Sequence, residues 1–350
     1  MNDWLVDPLT SRETPPVVGR LAPSPTGALH LGNARSFLLA WLSIRQQRGR
    51  LILRIEDIDS PRVKPWALQS TVDDLRWLGL DWDSGPEDAV SEDAIVSKPS
   101  TCIVTHPDRG IDYIQTRRLA RYQQVIEHLI ADGSIYACTC SRSEVARAAS
   151  APHESSLAAL EGPIYPGTCR PSSSDTKTPA GDFAWRWRFD EGEVSWTDQL
   201  RGTNRATPAE QLGDFVIARG DFTPSYQLAV VVDDHDMQVT EVVRGDDLIF
   251  STYRQLAILE HLGWPAPRYH HVPLMIGADG RRLAKRHGDT RLSSFRQRGV
   301  SPEHVVGYLA WTLNLQATPE PLHAADLVGQ LDWQTLPLAP TIVNNDQLPC

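Results

Sequence analysis

The sequence predicts an α/β protein whose core is a doubly wound parallel sheet, and three observations carry that prediction. Two short apolar runs of strand length, Val17–Ala22 and Leu51–Ile55, each precede a segment whose apolar residues recur at helical spacing. Pro23, Pro25 and Gly27 force a turn directly after the first run, so strand passes to helix through a tight loop. Two later apolar runs, Leu228–Val232 and Val239–Val243, read as buried strands that return to the same sheet. Strand, turn, helix, strand, helix is how such a domain opens.

The first helix is expected over Leu31–Gln47, where Leu31, Phe37, Leu38, Trp41, Leu42 and Ile44 share helical spacing. Leu51–Ile55 is followed by the acidic segment Glu56-Asp57-Ile58-Asp59, and Trp66–Leu78 reads as the second helix. Residues 84–112 are polar, carry Gly85, Pro86 and Pro99, and read as a surface insertion. A third helix is expected over Arg118–Asp132, and residues 141–182, rich in Ser, Ala and Pro, read as loop-heavy. From Phe183 to Phe189 the pattern has period two, with Phe183, Trp185, Trp187 and Phe189 on one face and Ala184, Arg186 and Arg188 on the other. That is a half-buried strand with a solvated basic face, or else a sheet edge that meets phosphates. Ser301–Leu313 opens on the capping signal Ser301-Pro302-Glu303 and continues as an amphipathic helix.

At roughly 150 residues per domain, 350 residues suggest two domains, or one large domain with an insertion. A composition of 41% hydrophobic and 22% charged residues excludes a disordered, collagenous or coiled-coil chain. No stretch approaches the roughly 20 apolar residues that span a bilayer. Met1–Glu13 carries Asp3, Asp7 and Glu13 and lacks the apolar centre of a secretory signal, so a cytoplasmic protein is expected. A net charge of −10 argues against a nonspecific grip on nucleic acid, although a local basic face can sit on an acidic body. The cysteines Cys102, Cys138, Cys140, Cys169 and Cys350 are odd in number and unevenly spaced, which is not a disulfide framework.

Three constellations bear chemistry. The first runs from Gly19-Arg20-Leu21-Ala22-Pro23-Ser24 to His30-Leu31-Gly32-Asn33. A strand enters a Pro/Gly turn and a helix starts just behind it, where free backbone N–H groups attract phosphate. His30 is placed to donate to a phosphoryl oxygen, and Gly32 leaves space where a base or ribose could pack close. The second is Arg282-Leu283-Ala284-Lys285-Arg286, a basic loop after the turn Gly277-Ala278-Asp279-Gly280; beside a phosphate site it would neutralise charge on departing pyrophosphate. The third is Cys138-Thr139-Cys140 with Tyr165-Pro166-Gly167-Thr168-Cys169. Three thiolates and a fourth ligand would close a structural zinc, with His153 as an in-sequence candidate; three idle or buried cysteines are the other reading of that spacing.

The first two strings, with Arg54-Ile55-Glu56-Asp57-Ile58-Asp59, Tyr226-Gln227-Leu228-Ala229 and Val242-Val243-Arg244-Gly245 in order, resemble the glutamyl branch of the class I aminoacyl-tRNA synthetases from about Val17 to Leu313. Within that branch the chain resembles the short members that modify tRNA(Asp). The features are Gln227–His235, the Cys-x-Cys pair, Ile342-Val343-Asn344 and the 64 residues after Arg286, too few for the helical anticodon-binding region of a full-length charging enzyme. The resemblance implies activation of L-glutamate by ATP, with Mg2+, and transfer of glutamate to the queuosine base at the wobble position of tRNA(Asp). The rival readings are a truncated synthetase that charges the tRNA 3′ end and an inactive tRNA-binding module.

The resemblance also assigns residues. Arg20 and Arg244 suit carboxylates, since a guanidinium gives paired hydrogen bonds. Glu56 and the Ala22-Pro23-Ser24 backbone and hydroxyl suit the ammonium, Leu21 belongs with them to the glutamate site, and Tyr226 closes the glutamate pocket. His30, Gly32, Asn33 and Lys285 belong to ATP, with His30 and Lys285 as the catalytic pair. Ala284 stands where the family often has serine. Tyr165 joins Cys138, Cys140 and Cys169 as ligands of one structural Zn2+. The expected layout is an N-terminal tail at 1–16 and a Rossmann-type catalytic domain in two halves, 17–112 and 201–300. Between the halves lies an inserted acceptor or zinc-type subdomain at 113–200, and a short helical C-terminal region covers 301–350. A monomer is expected.

Overall fold

The computed structural model describes residues 16–58, 62–86, 110–148, 163–171, 179–281, 283 and 289–349. Most of the 84–112 insertion, Cys102, His153, Cys350, Arg282 and the stretch Ala284–Arg286 with Lys285 lie outside the described residues.

The centre is a parallel α/β layer of Rossmann type. Strand β1 (Val18–Leu21) leads into α1 (Leu31–Gln46), and α1 into β2 (Arg50–Leu53), which pairs parallel to β1 with Val18 opposite Arg50 and Leu21 opposite Leu53. Helix α2 (Pro65–Trp77) follows, with Pro65 at its start where a missing N–H costs nothing. The Lys64 N–H donates to the Pro23–Pro25 turn at Pro25 O, 3.0 Å away. Gly19 lets α1 close on β1, since a Cβ there would stand 2.4 Å from Ile44 Cγ1. The two ends of the polar insertion run along the free edge of β2: Leu53 N–H donates to Ser84 O and Ile55 N–H to Tyr113 O, both at 2.8 Å. After a turn of 3-10 helix at Gln115–Arg118, α3 (Leu119–Ala131) buries Tyr122, Val125, Ile126 and Leu129 on one face.

A second, antiparallel layer follows. β3 (Ile135–Cys138), β4 (Ala184–Trp187) and β7 (Phe215–Arg219) pair in the order β3-β4-β7, with α4 (Arg142–Ala148), the hairpin β5 (Val194–Asp198)–β6 (Gly202–Ala206) and the short α5 (Pro208–Gln211) between them in sequence. The alternating segment is therefore the central strand and not an edge. Its basic face is only partly solvated: Arg188 is exposed, but Arg186 is buried, donates from Nη1 to Asp214 O at 3.2 Å and stands 3.8 Å from the centre of the Tyr165 ring. The Tyr165 ring packs over the guanidinium and closes the face at that position.

The chain then returns to the parallel layer through α6 (Tyr226–Asp236), β8 (Glu241–Gly245), α7 (Ile249–His261) and β9 (Arg268–Val272). Leu228–Val232, expected as a strand, is the middle of helix α6. A short run that is apolar at every position carries no period, so it fits a helix buried all round as well as a central strand. Here Leu228–Asp234 are all buried. β8 and β9 pair in parallel, and Thr240 N–H donates to Val18 O at 2.9 Å, which sets β8 beside β1 in the spatial order β2, β1, β8, β9.

The remaining elements are β10 (Met275–Ile276), α8 (Leu292–Gln297) and α9 (Pro302–Thr312), a 3-10 turn at Ala324–Leu327, and β11 (Thr341–Ile342), which returns to pair parallel with β10. Ser301 stands at the N-cap of α9, but its hydroxyl meets His304 Nδ1 at 3.0 Å and makes no capping bond to the backbone. The C-terminal region is thus mostly irregular after α9. Arg35 of α1 ties it down, donating to Thr341 Oγ1 at 2.6 Å and to Pro273 O. Among the described residues no helix is long and apolar enough to cross a membrane.

Candidate active site

The site gathers where the parallel strands end. His30 is the N-cap of α1: its backbone is extended, its Nδ1 accepts the Gly32 N–H at 3.1 Å, and its own N–H donates to Asn33 Oδ1 at 3.2 Å. This reciprocal cap fixes the ring and its tautomer, because an accepting Nδ1 leaves the proton of the neutral imidazole on Nε2. Burial lowers the pKa of His30 and keeps it in that neutral form. Gly32 also serves the cap itself. A Cβ there would stand 3.1 Å from His30 Cε1 and Nδ1, so the bare glycine makes room for the histidine ring. Asn33 spends its side-chain oxygen on the cap.

The segment after the basic loop is laced to this cap. Leu31 N–H donates to Thr290 O at 3.0 Å and Leu292 N–H to Leu29 O at 2.9 Å, with His30 bridging to Arg291. Leu283, inside the loop, is buried in the same core as α1. The segment after Lys285 therefore sits against the first motif and Leu283 before it shares the core of α1, while Lys285 itself lies outside the described residues.

A buried set of charges is drawn from β1, the end of β2, α6 and β8. Arg20 of β1 donates from Nη1 to Val243 O at 3.1 Å, while its Nε has no hydrogen-bond partner. Burial lowers its pKa, with Asp234 opposing at 3.9 Å. Arg54, just after β2, is wholly buried and donates to Asp234 Oδ1 at 2.6 Å and Glu56 Oε1 at 2.9 Å, with Asp233 3.7 Å from Nε. Burial works against its charge, but the three carboxylates outweigh that and hold its pKa well above the ordinary value. Burial pushes Glu56 up, with Arg54 and Arg20 pulling it back. Glu56 N–H donates to Pro23 O at 3.0 Å and Arg54 N–H to Leu21 O at 2.9 Å, so the Leu21–Pro23 segment is stitched to the same cluster, while the Ser24 side chain faces outward. Asp233 also accepts from Arg118, Tyr122 and Gln115 at 2.7–2.8 Å, which ties α3 and the preceding turn to α6.

Arg244 of β8 completes the set. It is 6% exposed and donates from Nε to His271 Nε2 at 3.0 Å and from Nη2 to Thr252 Oγ1 at 2.8 Å, but its Nη1 has no partner. A buried, unpartnered guanidinium N–H is costly unless a ligand meets it. Tyr226, at the start of α6, is 37% exposed; burial raises its pKa, while Arg244 pulls it down. Arg20, Glu56, Tyr226 and Arg244 are thus brought together. Asp234, Thr252 and His271 belong to the same cluster and were not singled out as site residues from sequence. The available signal was the acidic pair Asp233-Asp234 at the end of an apolar run, since buried carboxylates require buried cations.

A separate group lies where β3 ends. The sulfurs of Cys138, Cys140 and Cys169 all fall within 4.8 Å of one another, with Cys140 and Cys169 at 3.5 Å. Tyr165 Oη stands 3.4 Å from Cys138 Sγ and 3.8 Å from Cys140 Sγ, and accepts the Cys169 N–H at 2.7 Å. His153 lies outside the described residues.

The family model of the class I tRNA synthetases (E and Q), catalytic domain, matches residues 16–349. A glutamyl-Q tRNA(Asp) synthetase of Rhodopirellula baltica is 44% identical over 345 residues, covering 94% of this chain and 97% of its own. A glutamate–tRNA ligase of Anaeromyxobacter sp. (strain K) is 43% identical over 291 residues, covering 83% of this chain and 56% of its own. The structure of a glutamate tRNA ligase of Elizabethkingia meningosepticum in complex with its amino acid is 24% identical, with a TM-score of 0.73 over 95% of this chain and 68% of that one, a likeness of fold.

Proposed function

The chain belongs to the class I tRNA synthetases of the glutamate and glutamine branch, and from that premise we propose that it activates L-glutamate with ATP and transfers the glutamyl group to the queuosine base of tRNA(Asp). The observation that carries the amino-acid half is Arg244, a buried cation whose Nη1, with its two N–H groups, is left unpartnered beside Arg20. The choice of acceptor rests on kinship with relatives of that name.

In this reading Arg20 and Arg244 receive the carboxylates of glutamate, Glu56 and the Leu21–Ser24 segment receive the ammonium, and Tyr226 covers the amino acid. The α-carboxylate is already ionised at pH 7, so activation needs no strong base. Its oxygen attacks the α-phosphorus of ATP, pyrophosphate leaves, and glutamyl-adenylate forms; the queuosine acceptor then displaces AMP. The chain's contribution is position and charge. His30 holds a donor, Nε2–H, toward the phosphates, while Gly32 and Asn33 hold His30. Lys285 supplies a cation on the pyrophosphate side. Mg2+ accompanies ATP, held mainly by phosphate oxygens and water.

His30→Asn separates the two jobs of that residue. Asparagine caps a helix well but has no Nε2–H. Glutamate-dependent pyrophosphate exchange is expected to fall roughly 10²–10³-fold, with the melting temperature little changed; an equal loss of both would mean that His30 serves the fold alone.

The thiol group fits a structural zinc. A tetrahedral ion with Zn–S near 2.3 Å sets its sulfurs about 3.8 Å apart, close to the 3.5 Å between Cys140 and Cys169. Cys138, Cys140 and Cys169 would hold the ion with Tyr165 Oη as fourth ligand, fastening β3 to the 165–169 turn. Purified protein is expected to carry one zinc per chain, and a chelator is expected to lower its melting temperature. Protein that is metal-free as purified and indifferent to chelator would contradict the assignment.

The function is tested by loading labelled glutamate onto tRNA(Asp) with and without queuosine and onto tRNA(Glu). Label is expected only on the queuosine-bearing tRNA(Asp). Label on tRNA(Glu) would favour 3′-end charging, and no exchange at all would favour a binding module.

A further inference from the structure

We propose that Asp198 and His271 form a positioning relay that holds Arg244 ready for glutamate, an inference that rests on reading Arg244 as a carboxylate binder. Asp198 ends β5 and is buried. Its Oδ1 accepts the Leu200 and Arg201 N–H groups at 2.9 and 2.7 Å, and its Oδ2 accepts the His271 N–H at 3.0 Å and meets His271 Nδ1 at 2.7 Å. Four donors converge on two oxygens, a demand that only the carboxylate meets. Across the ring, His271 Nε2 faces Arg244 Nε at 3.0 Å. A guanidinium N–H can only donate, so Nε2 must accept. Both ends of the imidazole therefore require the same species, neutral with its proton on Nδ1. Burial, against the pull of Asp198, brings the His271 pKa down to about 4, which keeps that species in place near neutrality.

The relay solves a problem of charge. An arginine meant to bind a substrate carboxylate must be fixed in direction without being neutralised by the protein. Among the described residues, Arg244 is held by an imidazole nitrogen and a hydroxyl, both uncharged, and by no carboxylate. Asp198 orients it from one ring away, so the charge of Arg244 stays available. A carboxylate hydrogen-bonded behind a histidine sets its tautomer in the same way at metal sites and in catalytic triads.

Asp198→Asn tests the relay. Its amide NH2 must face either the Leu200 and Arg201 N–H groups or His271. In the second case His271 moves its proton to Nε2, where it meets the Arg244 Nε–H donor to donor. The KM for glutamate in pyrophosphate exchange is expected to rise roughly tenfold or more while the KM for ATP moves less than about twofold. His271→Leu is expected to behave alike. His271→Gln, whose amide can accept from Arg244 and donate to Asp198, is expected to recover most of the affinity. Nitrogen-15 spectra of histidine-labelled protein give a readout independent of activity: His271, assigned by its loss in His271→Gln, is expected as the Nδ1–H tautomer. An Nε2–H tautomer in the unaltered protein, or a glutamate KM unmoved in both Asp198→Asn and His271→Leu, would overturn the proposal. An unaltered protein without glutamate-dependent exchange would instead overturn the reading of Arg244, with the tautomer still reporting on the relay.

Discussion

Arg244→Met is expected to lower the kcat/KM of glutamate-dependent pyrophosphate exchange by roughly 10²–10⁴-fold. The estimate follows from two charge-assisted hydrogen bonds to a carboxylate, worth about 1.5–3 kcal/mol each, at about 1.4 kcal/mol per decade. The fold should tolerate the change. Methionine fills much of the same volume, and Thr252 Oγ1, already 3.1 Å from His271 Nε2, can donate to the nitrogen that Arg244 vacates. Arg244→Lys is expected to rescue little, because an ammonium cannot span His271, Thr252 and a substrate carboxylate as the planar fork does. Exchange kinetics and a melting curve on the same preparations separate the outcomes. Activity within about tenfold of the unaltered protein would mean that the carboxylate of glutamate is held elsewhere.

Arg54→Met is expected to show the largest loss of stability, roughly 3–5 kcal/mol in a denaturant titration. Arg54 is the shared counter-charge of Glu56, Asp234 and Asp233, all buried. Methionine leaves Glu56 with no cation in hydrogen-bond contact and Asp234 with only Arg20, at 3.9 Å. Asp233 keeps its bond to Arg118. The loss should therefore shrink when Asp234→Asn is added, since the second change removes one of the stranded charges. A single-variant loss below about 1 kcal/mol, the level of an exposed pair, would contradict the buried network described here.

Much of the parallel layer was legible because its elements are local. The Pro23–Gly27 turn, the apolar spacing from Leu31 to Ile44 and the Pro65 start of α2 are written in contiguous residues, and β1, α1, β2 and α2 fall within a residue or two of expectation. α6 was misread because Leu228–Val232 is covered on every side, which erases periodicity. Arg186 was misread because alternation tells which face a side chain takes, not whether another segment, here the Tyr165 turn, packs over that face. At the site, the sequence could nominate Arg20, Glu56, Tyr226 and Arg244, but not the partners that lie far along the chain. Arg54 meets Asp234 across 180 residues, and Arg244 meets a histidine on the neighbouring strand. Those contacts exist only after the strands have paired. The tautomer of His271 depends on them in the same way, whereas that of His30 is set locally by the Gly32 N–H.

We propose one pocket, with guanidinium groups on the amino-acid side and the histidine-capped start of α1 on the nucleotide side. A crystal structure with a non-hydrolysable glutamyl-adenylate analogue tests it most directly. A carboxylate of the analogue is expected on the free Nη1 of Arg244 and on Arg20, with the phosphoryl group within hydrogen-bond reach of His30 Nε2. An analogue bound with its carboxylates away from both arginines, or a His30 ring turned from the phosphoryl group, would contradict it.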